Sequence, residues 1–227
     1  MTTRRDINLG LLAAAGVAMA PRFVSAQTQA QAQAQTQAPI ELPAPRADFG
    51  CSLAQALKLR RSMREFAVRP LPPLVLSELL WSAYGINRPA TADRTAPSFR
   101  HARETAIFAA MADGVWRYDP LAHRLVPHLA ADVRGQTGMQ AFAATAPLEL
   151  IYVADAEHLS GISREEQRRV AAADTGFIGQ NVYLYCASEG LACVFRDSFD
   201  HERLASTLKL GEAQFINFAQ TVGYPKS

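Results

Sequence analysis

The longest helical pattern in the chain runs from Glu165 to Glu189, and its small residues constrain the fold more than any other feature. Ala172, Gly176 and Gly179 recur every three or four positions, which sets them along one side of a helix. Glycine inside a helix costs about 1 kcal/mol relative to alanine, so two of them imply close approach by something. Either another element of the same core or a second subunit fits, and the two are compatible.

The rest of the chain alternates helical and strand patterns. Ser52-Leu53-Ala54-Gln55 has the form of a capping box and predicts a helix over Ser52–Arg61. Leu76, Leu79, Leu80 and Tyr84 share one face of a second helix over Leu74–Tyr84, stopped at Gly85. Thr105–Met111 reads as a strand. Gly114–Tyr118 and Arg124–Val126 read as a hairpin joined at Asp119-Pro120. Leu148–Ala154 is apolar and rich in β-formers, which predicts a central strand. Asp132–Phe142 is expected to be partly helical. Ala192–Phe195 is a further strand, Asp200 caps a helix ending near Leu208, and Phe215–Gly223 closes the sheet. Helices interspersed with a hairpin place the chain in the α+β class rather than the parallel α/β class.

Arg60-Arg61-Ser62-Met63-Arg64-Glu65-Phe66 follows the first helix. Pro70, Pro72 and Pro73 end regular structure soon afterwards. Arginine forks match phosphate oxygens two at a time, and a serine hydroxyl adds a contact. A solvated basic helix end is the plainer reading of these seven residues taken alone.

Together with three further stretches in order, the segment resembles the nitroreductase family. The stretches are Arg94-Thr95-Ala96-Pro97-Ser98, Asp174-x-Gly176-x-x-Gly179-Gln180-Asn181 with Gly190-Leu191, and Val222-Gly223-Tyr224-Pro225. Tyr118-Asp119-Pro120 resembles an element of the small branch related to azoline (thiazole/oxazole) dehydrogenases. The resemblance covers about residues 50–225. It implies a mixed central sheet flanked by helices, a homodimer, and FMN at the subunit interface. It further implies that Arg60, Arg61, Ser62 and Arg64 hold phosphate, ribityl and pyrimidine groups, and that Pro97 and Ser98 pass along the cofactor. His101 and Arg103 stand where relatives often carry asparagine and glutamine, a departure that bears on the pyrimidine contact. Asp197 and Ser198 align with a segment whose backbone approaches flavin N5, and Ser198 replaces a common glycine.

Composition narrows the alternatives. With 49% hydrophobic and 19% charged residues, the chain can form a core. The formal net charge of +2 resides in the first 26 residues, which hold Arg4, Arg5 and Arg22 against Asp6, so the remainder is balanced and carries no footprint for nucleic acid. No Gly-x-Gly-x-x-Gly, Walker loop or Gly-x-Ser-x-Gly elbow occurs, and the five histidines lack zinc-site spacing. Cys186 and Cys193 read as buried thiols, with a bridge between them as the alternative. Thr3-Arg4-Arg5-Asp6-Ile7, the apolar run Leu9–Ala20 and Val24-Ser25-Ala26 resemble a cleavable twin-arginine export signal. The expected organisation is therefore a signal over 1–26, a Gln/Ala-rich tether over 27–45 and a folded domain over 46–227.

These readings lead to an exported, periplasmic FMN-dependent oxidoreductase acting on a small organic molecule, with flavin N5 carrying the chemistry and no metal. It would exchange electrons with that substrate or a periplasmic partner, and NAD(P)H would reduce it poorly. A flavin carrier without turnover and a cofactor-free dimeric interaction module are the alternatives from other classes.

Overall fold

The computed structural model describes residues 37–226, so the expected signal and the first part of the tether lie outside the described residues. Seven strands form one sheet in the order β1-β6-β5-β4-β7-β9-β8. They are β1 (Ile40–Glu41), β4 (Thr105–Met111), β5 (Gly114–Asp119), β6 (Arg124–Leu129), β7 (Leu148–Asp155), β8 (Ala192–Arg196) and β9 (Gln214–Gly223). A short pair, β2 (Ile86–Arg88) and β3 (Asp93–Arg94), stands apart. The helices are α1 (Leu53–Leu59), α2 (Pro73–Tyr84), α3 (Arg164–Ser188) and α4 (His201–Thr207).

The α+β fold follows the sequence patterns closely, but the sheet corrects one expectation. Every pairing among its described strands is antiparallel, not mixed. Tight turns fold β4, β5 and β6 back on one another, and β7 and β9 meet running in opposite directions. Asp119 sets the β5–β6 turn by accepting hydrogen bonds from the amides of Leu121 and Ala122 at 3.0 and 3.3 Å.

β7 lies inside the sheet, between β4 and β9, because it has few polar side chains to keep wet. Leu148, Leu150 and Tyr152 point to the face covered by α2 and α3, while Ile151 and Val153 point to the face covered by α4. This alternation is the period-two pattern of a strand buried on both sides. The helix starts are capped as their sequences predict. Ser52 accepts from the Gln55 amide, Ser163 from the Glu166 amide and Asp200 from the Arg203 amide. Asp132–Phe142 contributes only 3₁₀ turns, at Arg134–Gln136 and Ala141–Ala144.

The arm before α1 is attached to the sheet. Ile40 and Glu41 pair with Leu125 and Arg124, and Leu42 enters the core. Arg46 then grips the fully buried Glu78 of α2 through both carboxylate oxygens, at 2.6 and 2.9 Å, and Tyr185 of α3 adds a hydrogen bond at 3.2 Å. The Arg46 fork holds the Glu78 carboxyl below the usual range against the opposing effect of burial.

α3 crosses the sheet with its two glycines in different surroundings. A Cβ on Gly179 would meet the Phe195 ring at 2.5 Å, whereas one on Gly176 would meet nothing within 4 Å. Phe195 cannot yield easily, because it packs against Tyr152 and Phe218. The close approach at Gly179 is therefore internal to the chain. Gly179→Ala should cost about 1–3 kcal/mol of overpacking, more than the roughly 1 kcal/mol of helix propensity gained. Urea unfolding monitored by circular dichroism should show the loss, and should show none for Gly176→Ala.

Candidate functional site

α1 ends where Arg60 leaves helical geometry, and the chain continues extended along β8. The Met63 amide donates to the Cys193 carbonyl at 2.9 Å, the Lys226 amide to Glu65 at 3.2 Å and the Ala67 amide to Tyr224 at 2.9 Å. Phe66 is buried with Ala146, Ala192 and Val194, with Met63 packed against them. Burying Met63 and Phe66 leaves Arg61, Ser62 and Arg64 exposed on a backbone fixed from beneath. Arg61 and Arg64 form no ion pair among the described residues, and the Arg60 guanidinium lies 5.4 Å from the Tyr183 ring centre.

Tyr183 of α3 ties this segment to β8. Its hydroxyl lies 2.7 Å from Ser62 Oγ and accepts the Phe195 amide at 2.9 Å. Sequence reasoning overlooked Tyr183, although it lies seven residues beyond Gly176 and so on the same side of the helix. One residue beyond Phe195, Arg196 turns inward. Its fork reaches Glu149 at 2.5 Å, the Thr137 carbonyl at 2.8 Å and Thr221 at 2.7 Å, and Thr221 in turn bonds Glu149 at 2.8 Å. Burial pushes the Glu149 carboxyl up to about 7, even with Arg196 and Thr221 pulling it down.

Asp197 and Ser198 follow directly. Asp197 pairs with His201 at 2.8 Å. Ser198 exchanges hydrogen bonds with the Gln140 amide group at 2.8 and 3.1 Å, and its carbonyl accepts from the Met139 amide. Arg60, Arg61, Ser62, Arg64, Asp197 and Ser198 are thus carried by two adjoining segments, β8 with its extension and the strand-like run beside it. Gln140 is an additional member that no motif signalled.

Pro97, Ser98, His101 and Arg103 are held elsewhere on α3. The Phe99 amide donates to Asp174 at 2.6 Å, and Ser98 Oγ accepts the Arg103 amide at 3.1 Å. Arg103 reaches Asp93 at 3.3 Å, and the exposed His101 ring lies 3.6 Å from the same carboxylate. Arg100, His101 and Arg103 all have positive φ, at 49°, 58° and 51°, a conformation that non-glycine residues seldom adopt. Asp174 and Tyr183 are nine residues apart, about 13–14 Å along a helix. Within one protomer the two groups therefore occupy separate stretches of α3.

Behind the second group, Glu104, just before β4, is buried close to the Asp174 carboxylate and accepts from Thr105 at 3.0 Å. Burial, then the Asp174 charge, pushes Glu104 up to about 7.

An arginine row without ion-pair partners among the described residues, beside the edge strand of a helix-backed antiparallel sheet, is the candidate site of this α+β protein. Its relatives sharpen that class. The nitroreductase family profile matches residues 57–224. A protein of Methanocaldococcus jannaschii named as a nitroreductase is 31% identical over 170 residues, 70% of this chain and 85% of that one. The crystal structure of a nitroreductase-like protein from Ralstonia eutropha superposes with a TM-score of 0.80 at 39% identity, covering 84% of this chain and 91% of that one. The NADPH:FMN oxidoreductase of Vibrio harveyi, complexed with NAD+, shares the fold with a TM-score of 0.58 at 18% identity, covering 77% of this chain and 69% of that one. The chain belongs to the nitroreductase family, whose members are typically flavin-dependent oxidoreductases.

Titration of Glu104 has a measurable consequence. The folded chain keeps a proton that an unfolded carboxyl, titrating near 4.5, has already released. Stability should therefore fall as pH rises from about 4.5 to about 7, by up to about 1.4 kcal/mol per pH unit for each such group. Glu149 contributes in the same direction. Glu104→Gln keeps a donor toward Asp174 and should flatten the slope in urea unfolding measured between about pH 5 and 8.

Proposed function

We propose that the protein is an FMN-dependent oxidoreductase acting on a small organic molecule. The observation that carries this reading is the row Arg60, Arg61, Ser62 and Arg64. Three guanidiniums and a hydroxyl stand on a rigid extended backbone, with no carboxylate to neutralise Arg61 and Arg64. That donor set suits a phosphate monoester and the polar chain behind it. When bound, FMN would supply hydride exchange at N5. Asp197 and Ser198, fixed by His201 and Gln140, would border the ring and exclude water from one side.

The second group enters through a homodimer. Leu53 and Leu57 of α1 are 64% and 54% exposed, Phe177 of α3 is 50% exposed, and Gly176 beside it is open. Burying these apolar side chains against a second copy would stabilise it, at roughly 25 cal/mol per Å² of apolar area. A twofold arrangement would also let the Pro97, Ser98, His101 and Arg103 loop of one subunit complete the site of the other. Tyr118-Asp119-Pro120, at the β5–β6 turn, is the element that favours the branch related to azoline dehydrogenases.

Arg61→Ala and Arg64→Ala should each weaken FMN binding about tenfold to a hundredfold, the worth of one charge-assisted hydrogen bond. Flavin absorbance of the purified variants, followed by titration of the stripped protein, reads this directly. Full FMN occupancy in both variants would place the cofactor elsewhere.

Export through the twin-arginine signal fits a noncovalent cofactor, because that route carries folded proteins. It also delivers the enzyme to the periplasm, where nicotinamide dinucleotides are scarce. Nothing would then maintain a nicotinamide in a near-attack position, so NADH and NADPH should bleach the flavin slowly. Anaerobic stopped-flow mixing is the measurement, and rapid bleaching at micromolar dinucleotide would count against both the donor and the location.

A further inference from the structure

Arg94 is a half-buried cation without an anion. Its guanidinium stacks 4.5 Å from the centre of the Tyr84 ring, and its only hydrogen bond is a long one, 3.5 Å, to the Tyr84 carbonyl. Nε is sealed from solvent with no partner. Among the described residues no carboxylate lies within ion-pair distance. Burial draws its pKa down, and the neighbouring Arg103 charge adds to the effect. Removing a charge from water costs several kcal/mol unless a partner compensates. Arg103 already has Asp93, and Glu104, which accepts from Thr105 through Oε1, makes no ion pair with Arg94 among the described residues.

Beside Arg94 lies a cavity of about 300 Å³, lined by Tyr84, Glu104, Ile107 and Tyr118 together with Arg117 and Asp155. We propose that this cavity binds a small organic carboxylate, gripped by the free side of the Arg94 guanidinium, with its carbon skeleton against Tyr84, Ile107 and Tyr118. One guanidinium matches one carboxylate. Arg103, which also lines the cavity, is engaged by Asp93, and Glu104 and Asp155 offset the Arg117 charge, so one open guanidinium remains for a monoanion. The volume lies at the small end of ligand cavities and suits a molecule the size of benzoate. The cavity shares Arg103 with the loop assigned to the flavin, but none of Arg60, Arg61, Ser62 or Arg64 lines it.

Titration calorimetry of the full chain with benzoate and with benzamide tests the proposal, with FMN content read by visible absorption in each sample so that the two assignments are judged separately. Benzoate should bind about tenfold to a hundredfold more tightly than benzamide, the range of a charge-assisted hydrogen bond. Arg94→Gln should erase that preference without changing FMN content, and Arg94→Lys should keep part of it. Equal affinity for the two probes, no benzoate binding in the millimolar range, competition by inorganic phosphate as strong as by benzoate, or an unchanged preference in Arg94→Gln would each overturn the proposal. If Arg94→Gln does not fold, the comparison of the two probes on the unaltered chain decides.

Discussion

The buried fork of Arg196 on Glu149 is the constraint on which the rest of the site depends. It joins β8 to β7, spans β9 through Thr221, and reaches the turn before Phe142 through the Thr137 carbonyl. Its two side chains are 5% and 0% exposed, so neither charge has water to fall back on. Such a pair adds little net stability compared with an apolar core, yet removing one partner costs about 3–5 kcal/mol. Its effect here is positional. Gly138 is pressed so closely on the guanidinium that any side chain there would collide with it, and Met139 and Gln140 then attach to Ser198. The geometry of the Asp197-Ser198 segment is set from inside the sheet.

The chain deals with two buried guanidiniums in opposite ways. Arg196 has every direction of its fork answered by protein atoms. Arg94 is answered on one side by an aromatic ring and left open toward a cavity. Similarly, Glu78 is fixed by Arg46 and held ionised, while Glu104 faces a second carboxyl and holds its proton to about pH 7. Satisfied groups fasten the arm and the sheet, and the less satisfied ones gather behind the loop that carries Pro97 and Ser98.

Local chemistry made much of this legible in sequence. An apolar run rich in β-formers revealed β7, caps at Ser52 and Asp200 marked helix starts, and the arginine run stood out by charge. Strand direction was not legible, because period-two patterning is the same in parallel and antiparallel pairs. The two glycines of α3 looked equivalent, yet three residues turn a helix by about 300°, which leaves their directions about 60° apart. That offset puts Gly179 against Phe195 and leaves Gly176 open. Arg196 and Glu149 are 47 residues apart, and no local rule pairs them. Nor does local patterning mark the positive φ values at Arg100, His101 and Arg103, which arise where the Asp174 and Asp93 anchors hold a short loop taut.

The segment bearing Arg61, Ser62 and Arg64 has a second consequence through the Met63 amide bonded to Cys193. β8 is the last strand of the sheet, and its outer rim would otherwise present Cys193, Val194 and Phe195 as a bare, apolar template for strand addition. Exposed rims of this kind recruit other chains and seed aggregation. The arginine run is laid over that rim, joined at Met63 and, through Phe66 and Pro225, near residue 225. The stretch proposed to hold the cofactor therefore also guards the sheet against self-association, so insertions or prolines that displace it would compromise solubility.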